Sequence, residues 1–156
     1  MKILKGDLIQ YALNGHFDVI VHGCNCFNTM SAGIARQIRH AFPEAFEADK
    51  RTAYGDKNKL GSISTAYVTR NNRQLCIVNA YTQYDYGNTP GKVYVRYDAL
   101  LNCFAKIRSM SIGLRVGYPL IGCGLAHGDW KIISAIINGQ LEGIHHTVVL
   151  YDKTKR

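Results

Sequence analysis

At 156 residues, with 47% hydrophobic and 19% charged side chains, the chain has globular composition and enough length for a full core, which excludes a disordered segment. The formal charge of +8 favours anionic partners, either nucleic acid or a phosphate-bearing small molecule, although part of it is dispersed over Lys57, Lys59, Lys153, Lys155 and Arg156. No apolar run reaches bilayer length and the N-terminus lacks a signal-peptide pattern, so no membrane partner and a cytoplasmic location are expected.

In chain order, Met1 to Leu4 reads as an edge strand leading into a Gly6-Asp7 turn. Val19 to His22 is an inner strand, and from Gly33 the apolar positions Ile34, Ala35, Ile38, Ala41 and Phe42 take a helical period. Pro43 ends that helix and starts another, running to about Tyr54. Ser62 to Thr69 alternates as a strand, and Asn71-Asn72 is a turn before a strand over Leu75 to Ala80. Tyr81 to Gly91 is an aromatic loop whose Tyr81, Tyr84 and Tyr86 suit a lid over a ligand or an interface. Tyr97, Leu100, Leu101, Phe104 and Ile107 place a helix over Val95 to Ser109. A strand over Arg115 to Leu120 enters a second glycine loop. Trp130, Ile133, Ile137 and Leu141 space a last helix, and His145 to Tyr151 closes as a strand. Strands alternating with helices predict an α/β layer fold with a largely parallel sheet, in one domain over residues 1–156.

The stretch Val21 to Ala35, VHGCNCFNTMSAGIA, is a strand, a loop of small residues and a helix opening at that loop. The first turn of a helix carries unpaired N–H groups and partial positive charge, which receive an anion. Ser31, Ala32 and Gly33 are small enough to let the backbone approach it. The second loop, Gly122-Cys-Gly-Leu-Ala-His-Gly128, has the wrong glycine spacing for a dinucleotide fingerprint, and no Walker A sequence is present. Its N–H groups suit a diphosphate, with a helix N-terminus behind it near Asp129. Both loops follow strands, and in such sheets ligands bind beyond the carboxyl ends of the strands.

Three segments carry a resemblance. Gly6-Asp7-Leu8, then Asn25 with its loop and Gly33-Ile34-Ala35, then Pro119-Leu-Ile-Gly-Cys-Gly-Leu125 stand in the order found in macro domains, which bind ADP-ribose. The wording of His22-Gly-Cys-Asn-Cys26 and Gly122-Cys-Gly-Leu-Ala-His-Gly-Asp-Trp130 is similar to a subgroup of small ADP-ribose-1''-phosphate phosphatases and ADP-ribosyl hydrolases. The resemblance implies a three-layer α/β/α sandwich with a mixed, largely parallel sheet, and ADP-ribose or ADP-ribose 1''-phosphate as ligand. It implies that Asp7 and Leu8 meet adenine, with Tyr151 able to flank it. Asn25 would hold the distal ribose. Ser31, Ala32, Gly33 and Ile34 on one side, and Ile121, Gly122, Cys123, Gly124, Leu125 and Ala126 on the other, would hold the diphosphate.

For the reaction, His22 and His127 are the groups that titrate near neutral pH, and only His22 has a counterpart in the subgroup; it also suits a satisfied residue at a strand end. Asp129 reads either as a catalytic carboxylate or as the N-cap of the helix opening at Trp130. The related hydrolases have their catalytic Asp at the position of Ala126, and their Lys has no counterpart, since Gln74 to Gly91 holds none. Phosphate release from ADP-ribose 1''-phosphate, with Asn25, His22 and Asp129 as catalytic residues, is the first reading. De-ADP-ribosylation of protein or nucleic acid and non-catalytic ADP-ribose reading are the alternatives, with nucleic-acid binding suggested by charge alone. The five cysteines have no framework spacing and are expected as reduced thiols. His22-x-Cys24-x-Cys26 would bind metal only on an extended strand, which Gly23 disfavours, so neither metal nor cofactor is assigned.

Overall fold

Runs that are apolar on both faces become the middle of a sheet, and the run Val19-Ile20-Val21 does so here. The computed structural model describes residues 1–155. Its strands are β1 (Lys2–Gly6), β2 (Val19–Cys24), β3 (Ile63–Arg70), β4 (Arg73–Tyr81), β5 (Arg115–Tyr118) and β6 (His145–Tyr151). They form a six-stranded sheet in the order β1-β6-β5-β2-β4-β3. All neighbours are parallel except β3 and β4. That hairpin turns on Asn71 and Asn72, both at positive φ (53° and 61°), as a two-residue turn of matching twist requires.

Helices cover both faces. Alternate β2 side chains point to opposite sides. Val19 and Val21 meet α4 (Tyr97–Met110) and α5 (Trp130–Gln140) through Leu100, Phe104, Ile133 and Ile137. Ile20 and Cys24 meet α1 (Leu8–Leu13), α2 (Gly33–Ala41) and α3 (Pro43–Lys50) through Leu8, Ile38 and Ala45. Each fully buried Ile or Leu contributes about 1.5–3 kcal/mol, so the two cores together fix the sheet between its layers. The result is the three-layer α/β/α sandwich with a mixed, largely parallel sheet.

The elements differ from the sequence reading in several places. β2 does not stop at His22: it stays extended through Gly23 to Cys24, because Gly23 and Cys24 keep their register with Ala80 and Tyr81 of β4. α1 went unread because six residues are too few to show a period; Asp7, taken for a turn, caps it by accepting from Ile9 N (2.9 Å) and Gln10 N (3.2 Å). α3 stops at Lys50, where Thr52 N and Thr52 Oγ1 both donate to Asp49 O. The chain then bends so that Gly55 N reaches Cys26 O at 2.7 Å. β5 ends at Tyr118, since Pro119 cannot continue its ladder.

Candidate functional site

The parallel strands bring the carboxyl ends of β2 and β5, and the loops that leave them, to one side of the sheet. There a cavity of about 530 Å³ is lined by Asn25, Ser31 to Ala35, Ile121, Gly122 and Gly124 to Ala126, with Asp49, Gln83 and Tyr86. A second cavity of about 580 Å³ lies among Met1, His16, Arg115 and His145, at the amino ends of β1, β5 and β6, the wrong end of a parallel sheet for a ligand.

The first wall is a loop held rigid before any ligand arrives. Asn25 Oδ1 accepts from Phe27 N (2.7 Å) and Asn25 Nδ2 donates to Thr29 Oγ1 (2.8 Å). The buried Lys59 ammonium donates to Cys26 O (3.1 Å) and to Asn28 Oδ1 (2.6 Å). Asn28 and Met30 sit at positive φ (54° and 43°), a conformation that non-glycine residues keep only where surroundings impose it. The loop delivers the chain to α2, whose N-cap Ala32 offers no side-chain bond. Among the described residues the N–H groups of Gly33, Ile34 and Ala35, all residues of the cavity lining, find no hydrogen-bond partner, and they carry the positive end of the helix dipole. Gly33 has φ +57° and nothing within 4 Å of where a Cβ would stand.

The second wall is a closed loop. Gly128 N donates to Gly122 O (2.7 Å), His127 N to Gly124 O (3.1 Å), and Ala126 O accepts from Tyr94 N and Val95 N. A Cβ on Gly128 would lie 2.6 Å from Gly122 O, so closure requires glycine there. Among the described residues the N–H groups of Gly122, Gly124, Leu125 and Ala126 find no hydrogen-bond partner. Two rows of free N–H groups thus flank one cavity, an arrangement that solvates an extended dianion.

Not every expected residue joins them. His22 is fully buried on the α3 face of β2, with its Nε2 2.6 Å from Asn79 Oδ1. Asn79 Nδ2 already donates to Ala45 O and Ser64 Oγ, so Nε2 must be the donor. Burial pushes the His22 pKa down to about 4. A neutral imidazole with its proton committed to the core does not line the cavity, and the expectation of an acid–base His22 is corrected: strand alternation turned it inward. Asp129 is exposed and accepts from Lys131 N at 2.9 Å, so it is the N-cap of α5 and stands outside the cavity lining. Asp129→Asn should leave both melting temperature and turnover unchanged, because Asn caps as well as Asp; a fall in kcat at constant melting temperature would restore its catalytic reading.

Asp7, Leu8 and Tyr151 also stand outside the lining. β1 and β6 run parallel, pairing Gly6 with Tyr151, so Asp7 and Tyr151 share the sheet end that carries the cavity. Leu8 is buried in the core and Tyr151 is exposed. Cys123 lies in the second loop but turns from the cavity towards the α4 and α5 core. His127 is exposed at φ +57° and no part of the lining. Of the three tyrosines expected in a lid, Tyr86 alone lines the cavity; Tyr81 is fully buried and Tyr84 donates to Gly55 O. Cys24 is among the lining residues, but burial pushes its thiol pKa up, so it offers no thiolate at neutral pH. All five cysteines are unpaired thiols, and among the described residues no group of three His, Cys, Asp or Glu side chains could hold a metal. None of the described helices is long and apolar enough to cross a membrane.

The sequence reading missed Asp49. It lies on α3, PEAFEADK, as one of three acidic residues with no local signal to set it apart. The fold buries it to 1% exposure and seats it in the cavity wall.

Fold and site together define an α/β/α domain with a cavity at the carboxyl end of its sheet, lined by residues whose backbone N–H groups are unpaired. The family model described as Macro domain matches residues 21–137, and the chain belongs to the macro domain family. It is 39% identical over 144 residues, 88% of either chain, to an uncharacterised 17.5 kDa protein of the tk-vs intergenic region of Enterobacteria phage T4. Among solved structures, a protein from Bacteroides thetaiotaomicron shares 28% identity over 96% of this chain and 99% of that one, with a TM-score of 0.77. The Trypanosoma brucei macrodomain, solved in complex with ADP-ribose, has the same fold at 17% identity, covering 96% of this chain and 63% of that one, with a TM-score of 0.61.

Proposed function

We propose that the cavity binds ADP-ribose and that the protein hydrolyses ADP-ribose 1''-phosphate to ADP-ribose and phosphate. The observation that carries this reading is the pair of partnerless N–H rows, one at the start of α2 and one at Gly122 and Gly124 to Ala126, both on residues that line the one cavity. Two such rows on one cavity suit a diphosphate, whose charge backbone N–H groups and a helix N-terminus can receive. Asn25, at the carboxyl end of β2, then stands where the distal ribose would lie, and Asp7 and Tyr151 mark the adenine end on the neighbouring strands.

Calorimetry with ADP-ribose and a phosphate-release assay with ADP-ribose 1''-phosphate test the two halves separately. ADP-ribose should bind tighter than AMP, which reaches less of the clamp. Gly124→Val is the sharper probe. A Cβ at Gly124 meets no protein atom within 4 Å, so the fold should keep its melting temperature. The branched side chain should nevertheless crowd the backbone approach and weaken ADP-ribose binding by at least about 1.4 kcal/mol, tenfold in Kd. Wild-type affinity in this variant would make the loop a mere connector. Binding without phosphate release would leave two readings, a hydrolase for ADP-ribosylated protein or nucleic acid and a non-catalytic reader. Release of ADP-ribose from such conjugates separates them.

A further inference from the structure

With His22 committed to the core and Asp129 to a helix cap, the proposed hydrolysis lacks a proton acceptor, and the cavity wall contains one candidate carboxylate. Asp49 Oδ1 accepts from Tyr81 OH at 2.7 Å. The same hydroxyl meets Ser64 Oγ at 2.9 Å and Thr52 Oγ1 at 3.4 Å, which fixes the carboxyl plane. Oδ2 is buried and has no hydrogen-bond partner. A buried carboxylate oxygen without a partner is costly, and such groups call for an explanation. Register supplies the location. Tyr81 pairs with Cys24 at the end of β2, so the residue it clamps is brought to that strand end, and Asp49, Cys24 and Asn25 all line the same cavity.

Resting on the phosphatase reading, we infer that Asp49 is the proton-transferring residue of this site and that its Oδ2 acts on the water that attacks phosphorus. Water oxygen forms the new bond to phosphorus while the bond from phosphorus to O1'' breaks. The bond pair stays on O1'', one water proton passes to Oδ2, and Oδ2 returns it to O1''. The products are hydrogen phosphate and ADP-ribose with a free 1''-hydroxyl, and the carboxylate is regenerated.

The surroundings suit the task. Burial pushes the Asp49 carboxyl above the usual carboxylate range, while the Tyr81 hydrogen bond and the Lys59 charge hold it back. The other titratable groups facing it are the Cys24 and Cys26 thiols, both pushed up by burial. A carboxylate of raised basicity is the better general base.

Asp49→Asn keeps the volume and keeps an oxygen to accept from Tyr81. With ADP-ribose 1''-phosphate its kcat should fall by at least about 100-fold, the usual share of a general acid–base group, while Kd for ADP-ribose stays within about threefold. An unchanged kcat in a folded Asp49→Asn, with the wild type active, overturns the role of Asp49 alone. A parallel loss of kcat and affinity also overturns it, since Asp49 would then only bind. A wild type that binds ADP-ribose but releases no phosphate overturns the phosphatase reading and this role together. Should Asp49→Asn fail to fold, wild-type protein labelled with 13C at aspartate carboxyls decides. The Asp49 resonance should titrate above the usual range and shift when ADP-ribose saturates the site. A resonance that ADP-ribose leaves unmoved overturns the inference.

Discussion

Acidification from pH 7 to pH 4 should cost the folded protein about 3 kcal/mol through His22 alone. The imidazole has an ordinary pKa of 6.5 when the chain is unfolded and about 4 when buried beside Asn79. Above 6.5 both states are neutral and the group contributes nothing to the pH dependence. Between 6.5 and 4 the unfolded chain takes up a proton that the folded one refuses, so stability falls by about 1.4 kcal/mol per pH unit. Below 4 the folded form also protonates and the loss levels off. His146, buried against Tyr118 with Nδ1 2.7 Å from its hydroxyl, is also lowered to about 4 and adds to the loss. Urea unfolding of wild type and His22→Gln at both pH values isolates the first contribution. Gln keeps a donor for Asn79 and cannot titrate, so the variant should lose about 3 kcal/mol less than wild type across this range. Equal losses would show that His22 is not held neutral in the core. His22→Ala should destabilise by about 2–4 kcal/mol at pH 7, because it opens a cavity and strips Asn79 Oδ1 of its donor. A stably folded but inactive His22→Ala would reverse the placement drawn here.

Asn25→Ala should lower phosphate release from ADP-ribose 1''-phosphate by at least about 100-fold. Two effects combine. The side chain shapes the loop through its bonds to Phe27 N and Thr29 Oγ1, and the proposed site asks the same amide to hold the distal ribose. Misplacing a sugar by about 1 Å costs two orders of magnitude in rate when the reacting groups are otherwise fixed. Thr29→Val separates the contributions, since it removes one loop bond and leaves the amide in place; its turnover should stay within about tenfold of wild type. If Thr29→Val matches Asn25→Ala, the asparagine acts by shaping the loop alone. If Asn25→Ala turns over normally, the ribose is held elsewhere.

Both predictions concern β2 and its loop, and the contrast between them shows how far local pattern reaches. That Val19 to His22 belong to an inner strand was legible from the apolar run, although β2 runs on to Cys24 and only then gives way to the loop at Asn25. Which of His22 and Asn25 faces a ligand was not legible. His22 lies one step from Val21 and two from Ile20, and whether it points to a core or a crevice depends on which helices cover that face. Asp129 shows the opposite case, since the sequence offered cap and catalyst alike, and the local geometry of one turn selected the cap.

From the sequence alone came the alternation of strands and helices, the hairpin at Asn71-Asn72, the helix opening at Gly33 and the glycine loop after Pro119. Each depends on residues within a few positions of one another, through backbone freedom, period or capping. The tertiary structure decided the strand order that sets β2 between β5 and β4, the burial of His22 on Asn79, and the withdrawal of Tyr81 from the lid. It also decided the arrival of Asp49 in the cavity that Asn25 lines. Those outcomes depend on partners distant in sequence, 57 residues away for His22 and 32 for Asp49. No local pattern encodes such a pairing, because the energy that selects it is released only when both faces of the sheet are covered.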